Sequence, residues 1–465
     1  RLQISQDVLR CISPRRLTSY DTAMPEKKTM PKYIFPPLAS RLKSLIHAGQ
    51  FIRNPFPILD AALDRFGSTY TFYMGGVQKA VITIDPKAIR HVLQKNHKGY
   101  EKSVIVTDLL GKYTGKGLLT STGDYWLRQR RLIQPGFHKR RIDSLQVLMK
   151  MEVDACMARW APMAATGASF DAYEEMNHLT FRIVARTLFS TSLEEHGLVQ
   201  LSQQISTLQS FIIREVRQPY KRWWFKISGQ ISAHLDLARE AREIIRAVIR
   251  ARKNSGEVPD DLLTMLLESK YEDSGMGMEE EQLIDECLIL FVAGHETSAN
   301  ALSWMIYLLG KHKEELLRIQ TAEAGLEINM IHNVVQEALR LYPPAWVSDR
   351  ISLEDDRVED FFLPKDTMWI LYIRGMHRHP DYWEEPDRFI PDRWNNPDLS
   401  KEAYMPFGSG PRMCIGEHFA IMEMELILSE ITRLWDIRLI NKVITEKPLV
   451  TLRPLEPVMI AIRKL

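Results

Sequence analysis

Phe407-Gly408-Ser409-Gly410-Pro411-Arg412-Met413-Cys414-Ile415-Gly416 is the stretch on which the reading of this chain turns. Its glycines and its proline exclude a regular element and favour a tight loop. Pro406 precedes it, and Glu417-His418-Phe419-Ala420-Ile421-Met422-Glu423-Met424-Glu425 follows as a helix. Cys414 therefore stands just before a helix N-terminus, where unpaired N–H groups favour a thiolate over a thiol. The glycines let backbone approach a flat ligand closely. Arg412, two positions upstream, can pair with an anionic group on such a ligand.

The rest of the composition is that of an ordinary globular protein. The chain has 465 residues, 45% hydrophobic and 26% charged, which excludes a disordered tail, a collagen and a small disulfide scaffold. Lys plus Arg is 61 against 59 for Asp plus Glu, so nothing points to a nucleic-acid partner. Cys11, Cys156, Cys287 and Cys414 are scattered, with no C-x-x-C pair. Neither a zinc knuckle nor a disulfide framework is expected, and a reducing compartment, the cytoplasm, fits. The most apolar window, Cys287–Leu309, is interrupted by His295 and Glu296, which suits a buried helix better than a membrane span. Residues 1–30 are polar, mixed in charge and without a signal-peptide core, and read as a loose extension. Residues 31–465 are expected to form a single domain.

The pattern predicts a mainly α fold with small β-sheets near the ends of the chain, an α+β class. Strands are expected at Tyr70–Tyr73 and Val81–Ile84 around a Gly75–Gly76 turn, at Thr367–Ile373 and at Val458–Ile462. Asp85-Pro86 marks a helix start. Helical segments dominate from Pro86 to Leu341 and return at Glu417–Leu434. Between them lies an irregular stretch carrying Pro380, Pro386, Pro391, Pro397, Pro406 and Pro411.

A cysteine with these neighbours meets the requirements of an axial thiolate on haem iron; the plainer alternative is a buried structural cysteine. The surrounding pattern decides for the ligand. Phe407, Gly410, Cys414 and Gly416, with Arg412, resemble the haem-ligand loop of the cytochrome P450 superfamily, Phe-x-x-Gly-x-x-x-Cys-x-Gly. Three further motifs occur in that family's order, so the resemblance covers roughly residues 35 to 465. Glu337-Ala338-Leu339-Arg340 resembles the family's Glu-x-x-Arg pair, and Pro391-Asp392-Arg393-Trp394 its Pro-Glu-Arg-Phe segment, with Asp392 in place of Glu. The resemblance implies a buried structural network of Glu337, Arg340 and Arg393 behind the haem loop. Ala293-Gly294-His295-Glu296-Thr297-Ser298 resembles the oxygen-activation motif, which implies a proton relay through Glu296 and Thr297 and a close approach of oxygen at Gly294. His295 reads as a residue contacting its neighbours and not as an iron ligand. Trp126-Leu127-Arg128-Gln129-Arg130 resembles the haem-propionate clamp, with Trp126 and Arg130 on one helical face. By the same resemblance Arg350 and Arg412 are further propionate contacts. The implied fold places haem between the long central helix and the helix after the cysteine loop.

The implied activity is a haem-thiolate monooxygenase. It would carry haem b and oxidise a small hydrophobic substrate, such as a fatty acid or terpenoid, with O2 and two electrons. A peroxide-driven peroxygenase and a non-catalytic gas sensor are the alternatives, and the intact Glu296–Thr297 pair argues against both. The chain ends about 50 residues after the loop, so electrons are expected from a separate partner, either a ferredoxin with its reductase or a flavoprotein reductase. The basic run Arg128, Arg130, Arg131, Lys139, Arg140 and Arg141 reads as a solvated face or as a dock for an acidic donor. Val104, Val106, Leu109, Leu110, Leu290 and Ala293 are candidate pocket walls, with ordinary core packing the alternative for each. In Pro219-Tyr220-Lys221-Arg222-Trp223-Trp224-Phe225-Lys226 the expectation is that the three aromatics pack beneath the substrate channel's roof. The other reading is a weak peripheral membrane contact, without a transmembrane anchor.

Overall fold

The computed structural model describes residues 32–74, 78–190 and 195–465. The extension expected over residues 1–30 and the Gly75–Gly76 turn lie outside the described residues. From Ile34 onward the chain forms one compact unit. It is mainly helical with several small sheets, the class expected from the sequence.

The central helix is Glu280–Lys311, longer at both ends than the Cys287–Leu309 window. Its acidic first turn (Glu280, Glu281) and its basic last residue, Lys311, suit the helix dipole, but their charge hides the helix ends from a hydropathy reading. Every residue from Ser298 to Gly310 is buried, so this half runs through the core with protein on all sides. Helix Ala172–Phe189 packs along it, with the Phe181 and Phe189 rings each 5.4 Å from the Phe291 ring. Gly294 serves this seam. A Cβ there would lie 3.1 Å from Val184 Cγ2, so the missing side chain admits the neighbouring helix.

A five-stranded sheet runs, edge to edge, Thr69–Met74, Gln78–Thr83, Met368–Leu371, Ser348–Ser352 and Tyr100–Glu101. The hairpin sets Tyr70 opposite Ile82. The strand expected over Thr367–Ile373 is only Met368–Leu371, because the chain turns at Tyr372 into a short helix, Ile373–His377. Met459–Lys464 is the middle strand of a three-stranded sheet with Ser169–Asp171 and Trp435–Leu439. The helix after the cysteine loop spans Glu417–Leu434.

The irregular proline-rich stretch is held from behind by one helix, Leu326–Leu341. On it Glu337 and Arg340 are fully buried and face each other, with Arg340 Nη2 2.9 Å from Glu337 Oε1. Arg340 also donates to the carbonyls of His377, Pro386 and Arg388. Arg393 donates from Nε to Glu337 Oε1 at 3.0 Å and from Nη1 to Glu384 O. The Ile390 N–H and the Trp394 indole N–H complete the shell around Glu337, each at 3.0 Å. His377 is buried and accepts the Met405 N–H on Nε2 at 2.9 Å. Burial, helped by Arg340, pushes the imidazole down to about 3, so it is neutral and able to accept.

The aromatic run at Pro219–Lys226 departs from expectation. Helix Arg222–Ile227 buries only Phe225, against Phe211 at 5.5 Å between ring centroids. Trp223, Trp224 and Ile227 are 64%, 50% and 74% exposed. Successive helical residues turn by about 100°, so three aromatics in a row cannot all face inward on one short helix.

Removing the Glu337 charge should leave Arg340 and Arg393 unpaired inside the protein. Glu337→Gln keeps the side-chain shape and is expected to cost about 3–5 kcal/mol, read as a lowered urea midpoint in circular dichroism. A midpoint equal to wild type would show that the network adds no stability.

Candidate active site

The loop backbone positions Cys414. Its N–H donates to Phe407 O at 2.9 Å, and the Met413 N–H donates to Gly410 O at 3.0 Å. Gly410 has φ +72°, and a Cβ there would lie 2.0 Å from Leu93 O, so only glycine fits where the loop crosses residue 93. Gly416 separates the cysteine from helix Glu417–Leu434, and a Cβ there would meet nothing within 4 Å. The Cys414 side chain is open on one side. The protein around its other sides pushes the thiol up, against the Gly416 N–H and Arg130, which lower it. The helix end expected to favour a thiolate is thus outweighed by burial.

Around the loop gather cations from four segments. Arg130, on helix Gly123–Ile133, donates to Met413 O at 3.1 Å and fastens that helix to the residue before Cys414. Trp126, one turn earlier, is buried and does not join Arg130; its ring lies under the Arg412 guanidinium at 4.0 Å. Arg412 donates to Ser121 O, and Arg350, 8% exposed, donates to Asp349 O and Ser348 Oγ. The sequence reading missed Lys102, which donates to Leu119 O at 2.5 Å. None of Lys102, Arg130, Arg350 and Arg412 has a carboxylate within 4 Å among the described residues. Burial and the nearby Arg412 and Arg350 push the Lys102 ammonium down to about 7. Burial and Arg350 lower Arg412 to about 10, and burial lowers Arg350. Crowded, partly desolvated cations of this kind call for an anion. A haem, with two carboxylates on one edge, matches this donor set, and Cys414 on the same loop as Arg412 supplies a metal-ligating sulfur.

The central helix brings a second set of groups. Thr297 donates from Oγ1 to Ala293 O at 2.9 Å, one turn back on the same face. Ala293 is exposed and Thr297 half-buried, although the helix is buried all round from Ser298 onward. Glu296 is half-buried, and its Oε1 accepts the Thr451 hydroxyl at 2.7 Å. His295 is buried, packs edge-on against Phe181 and hydrogen-bonds Phe291 O, a place in the core and not beside Cys414. Another buried acid also escaped the sequence reading. Burial pushes Glu423, on the cysteine-loop helix, up to about 8, against the Ser298 hydroxyl, which lowers it. Its signal was present: it interrupts the apolar stripe Phe419, Glu423, Ile427 at helical spacing.

None of the candidate pocket walls is a fully buried core residue. Val104 and Ala293 are exposed, and Val106, Leu109, Leu110 and Leu290 are half-buried.

The chain matches the Cytochrome P450 family model over residues 36–460. It belongs to the cytochrome P450 family. It is 30% identical over 409 residues to cyclooctat-9-en-7-ol 5-monooxygenase of Streptomyces melanosporofaciens, covering 84% of this chain and 87% of that protein. To pentalenene oxygenase of Streptomyces avermitilis it is 29% identical over 405 residues, 84% of this chain and 88% of the relative. It also resembles 11-oxo-beta-amyrin 30-oxidase of Glycyrrhiza uralensis, at 27% identity over 80% of this chain and 76% of that one. The protein is therefore a cytochrome P450 monooxygenase that oxidises a hydrophobic substrate, and membership implies haem, O2 and a redox partner.

If the cation cluster grips the cofactor's carboxylates, loosening it should loosen the cofactor. Arg350→Leu and Arg412→Leu are each expected to speed haem transfer to apomyoglobin by about 10- to 100-fold, the worth of one charge-assisted hydrogen bond. Transfer at the wild-type rate in both variants would remove these arginines from haem binding.

Proposed function

We propose that this cytochrome P450 oxidises a terpenoid, holding haem b through Cys414. Trp126, Arg130, Arg350 and Arg412 would meet the propionate edge, with Lys102 beside them, and Phe407 and Gly416 would frame the sulfur. The observation that carries the reading is the meeting, around one loop, of a cysteine open to one side with cations from four segments that lack carboxylate partners. A coordinating thiol would release its proton to solvent and bind the metal as thiolate, which offsets the upward push that burial gives Cys414. When bound, haem supplies activation of O2 and oxygen insertion into substrate.

The chain's own residues supply the rest. Thr297 and Glu296, adjacent on the central helix, would pass protons inward. Ala293, Leu290 and the half-buried Val106, Leu109 and Leu110 would bind an apolar skeleton and exclude water. The terpenoid assignment draws support from relatives named for cyclooctat-9-en-7-ol and pentalenene. Arg131, Lys139 and Arg140, exposed on one segment, suit an acidic electron donor, either a ferredoxin or a flavoprotein reductase. Cys156, Cys287 and Cys414 are all free, the state that a reducing compartment such as the cytoplasm maintains.

Two measurements test the core of this reading. The reduced protein with carbon monoxide should give the spectrum of a thiolate-ligated haem, and Cys414→Ala should lose it; a histidine-type spectrum in wild type would defeat the assignment. Pentalenene and related terpenoids, titrated into ferric enzyme, should shift the spin state at lower concentration than fatty acids do; tighter binding of fatty acids would overturn the substrate class.

No helix among the described residues is long and apolar enough to cross a membrane. The exposed Trp223, Trp224 and Ile227, among the exposed Lys221, Arg222 and Lys226, favour a weak peripheral contact with anionic lipid. Vesicles of phosphatidylserine and phosphatidylcholine should co-sediment with wild type and much less with the Trp223→Ala, Trp224→Ala double variant. Equal recovery of the two would show that the patch does not meet lipid.

A further inference from the structure

The central helix carries a polar pair one turn apart, Glu296 and Asn300, and a hairpin reaches across to both. The hairpin joins Glu446–Pro448 to Leu452–Pro454, and Thr451 stands at the end of its turn. Thr451 donates from Oγ1 to Glu296 Oε1 at 2.7 Å. Asn300 donates from Nδ2 to the same Oγ1 at 3.1 Å. Asn300 is fully buried, Thr451 is 9% exposed, and Asn300 Oδ1 has no partner among the described residues. The second oxygen of Glu296 takes no hydrogen bond among the described residues, and Glu296 is only half-buried.

A hydroxyl has one proton to give, so the direction of this chain of bonds is fixed by its ends. Asn300 fills an acceptor position on Thr451, and the Thr451 proton goes to Glu296. An ionised carboxylate can only accept, so the arrangement is satisfied when Glu296 is charged. If Glu296 took up a proton on Oε1, that proton would compete with the Thr451 proton for the same line. A proton is therefore directed to Oε2, the oxygen left without a bond.

We propose that Thr451 is a positioning residue for the Glu296 carboxylate. It pins one oxygen and reserves the other for proton exchange. Asn300 in turn orients Thr451. The proposal rests on the reading that Glu296 passes protons, and extends it to a hairpin that the oxygen-activation motif does not include.

The test uses the haem-loaded enzyme with pentalenene as probe and a surrogate ferredoxin and ferredoxin reductase as electron source. The share of electrons recovered as hydrogen peroxide is measured for wild type, Thr451→Val, Thr451→Ser, Glu296→Gln and the Glu296→Gln, Thr451→Val double variant. Misplaced proton delivery raises that share whether or not the probe is oxidised. Thr451→Val is expected to raise it at least about twofold, Thr451→Ser to restore it, and the double variant to match Glu296→Gln alone, because residues in one network do not add. A second readout needs no turnover: the infrared carboxylate band lost in Glu296→Gln should shift in Thr451→Val and return in Thr451→Ser. A raised share in Glu296→Gln with a wild-type share in Thr451→Val, or an unmoved infrared band, overturns the proposal and leaves the Glu296 reading standing. A wild-type share in Glu296→Gln removes Glu296 from proton transfer, and the positioning role falls with it. Should Thr451→Val not fold, Thr451→Ala is read by the same criteria.

Discussion

One buried carboxylate sets the back of the active site. Glu337 sits at full burial and gathers donors from Arg340, Arg393, Trp394 and the Ile390 backbone. Taking such a charge from water costs several kcal/mol, and only a complete shell of charge-assisted hydrogen bonds offsets that cost. The shell does more than neutralise. The stretch from His377 to Pro411 has too many prolines to satisfy its carbonyls in helices or ladders, and buried carbonyls need donors. Arg340 and Arg393 reach the carbonyls of His377, Glu384, Pro386 and Arg388. Tyr404 and Met405 are then tied to Gln336 O and to His377, which leads directly into the cysteine loop. The orientation of Cys414 thus begins at a carboxylate 77 residues earlier in the chain.

The front of the site depends on an opposite arrangement. Residues 115–122 run between two charged walls. On one side Asp285 and Glu286 of the central helix accept the N–H groups of Lys116 and Leu118. On the other, Lys102 and Arg412 donate to the carbonyls of Leu119 and Ser121. Carboxylates meet amides and cations meet carbonyls, so the segment is aligned by its own peptide dipoles. Burial pushes Glu286 up to about 7, against the Leu118 N–H, which lowers it. The cationic wall holds charges that repel one another, and any dianion that binds there relieves the repulsion. Cofactor binding and order in this segment are then the same free energy seen from two sides.

The sequence made the helices and the chemistry legible to different degrees. Glu417–Leu434 and the Asp85-Pro86 helix start could be read because periodicity and capping are local signals. The network of Glu337, Arg340 and Arg393 came through family resemblance, since three charged residues spread over 57 positions carry no local sign of meeting. Trp223 and Trp224 were misplaced because composition says which residues are apolar and not which way a six-residue helix turns them. Gly294 was read from its motif alone, and its packing against Val184 of the adjacent helix shows only in the structure. Lys102, Thr451 and Glu286 were out of reach for a plainer reason. Thr451 and Glu286 meet their partners only where the central helix packs against segments more than 150 residues away, and Lys102 gains its charged neighbours only where Arg350 and Arg412 are brought to it; no periodicity encodes that.

The hairpin that touches Glu296 shows why such distant groups can be held in register. Its base is fixed by Arg374, which grips Glu446 with two nitrogens at 2.7 and 2.8 Å. Its turn is fixed by the Trp346 indole on Leu449 O and by the Leu452 N–H on Pro344 O. Pro344 and Trp346 follow directly on the helix that carries Glu337 and Arg340. A hydroxyl on a mobile loop would sample many rotamers and lose most of the benefit of a 2.7 Å bond to entropy. Thr451, β-branched and set in a turn anchored at both ends, has little freedom left to lose. The buried network that orients Cys414 from behind therefore also steadies, through the same helix, the hydroxyl that meets the central helix at Glu296. The cysteine loop and the hairpin that meets Glu296 lie on different segments, and both trace back to the burial of a single ion-paired helix.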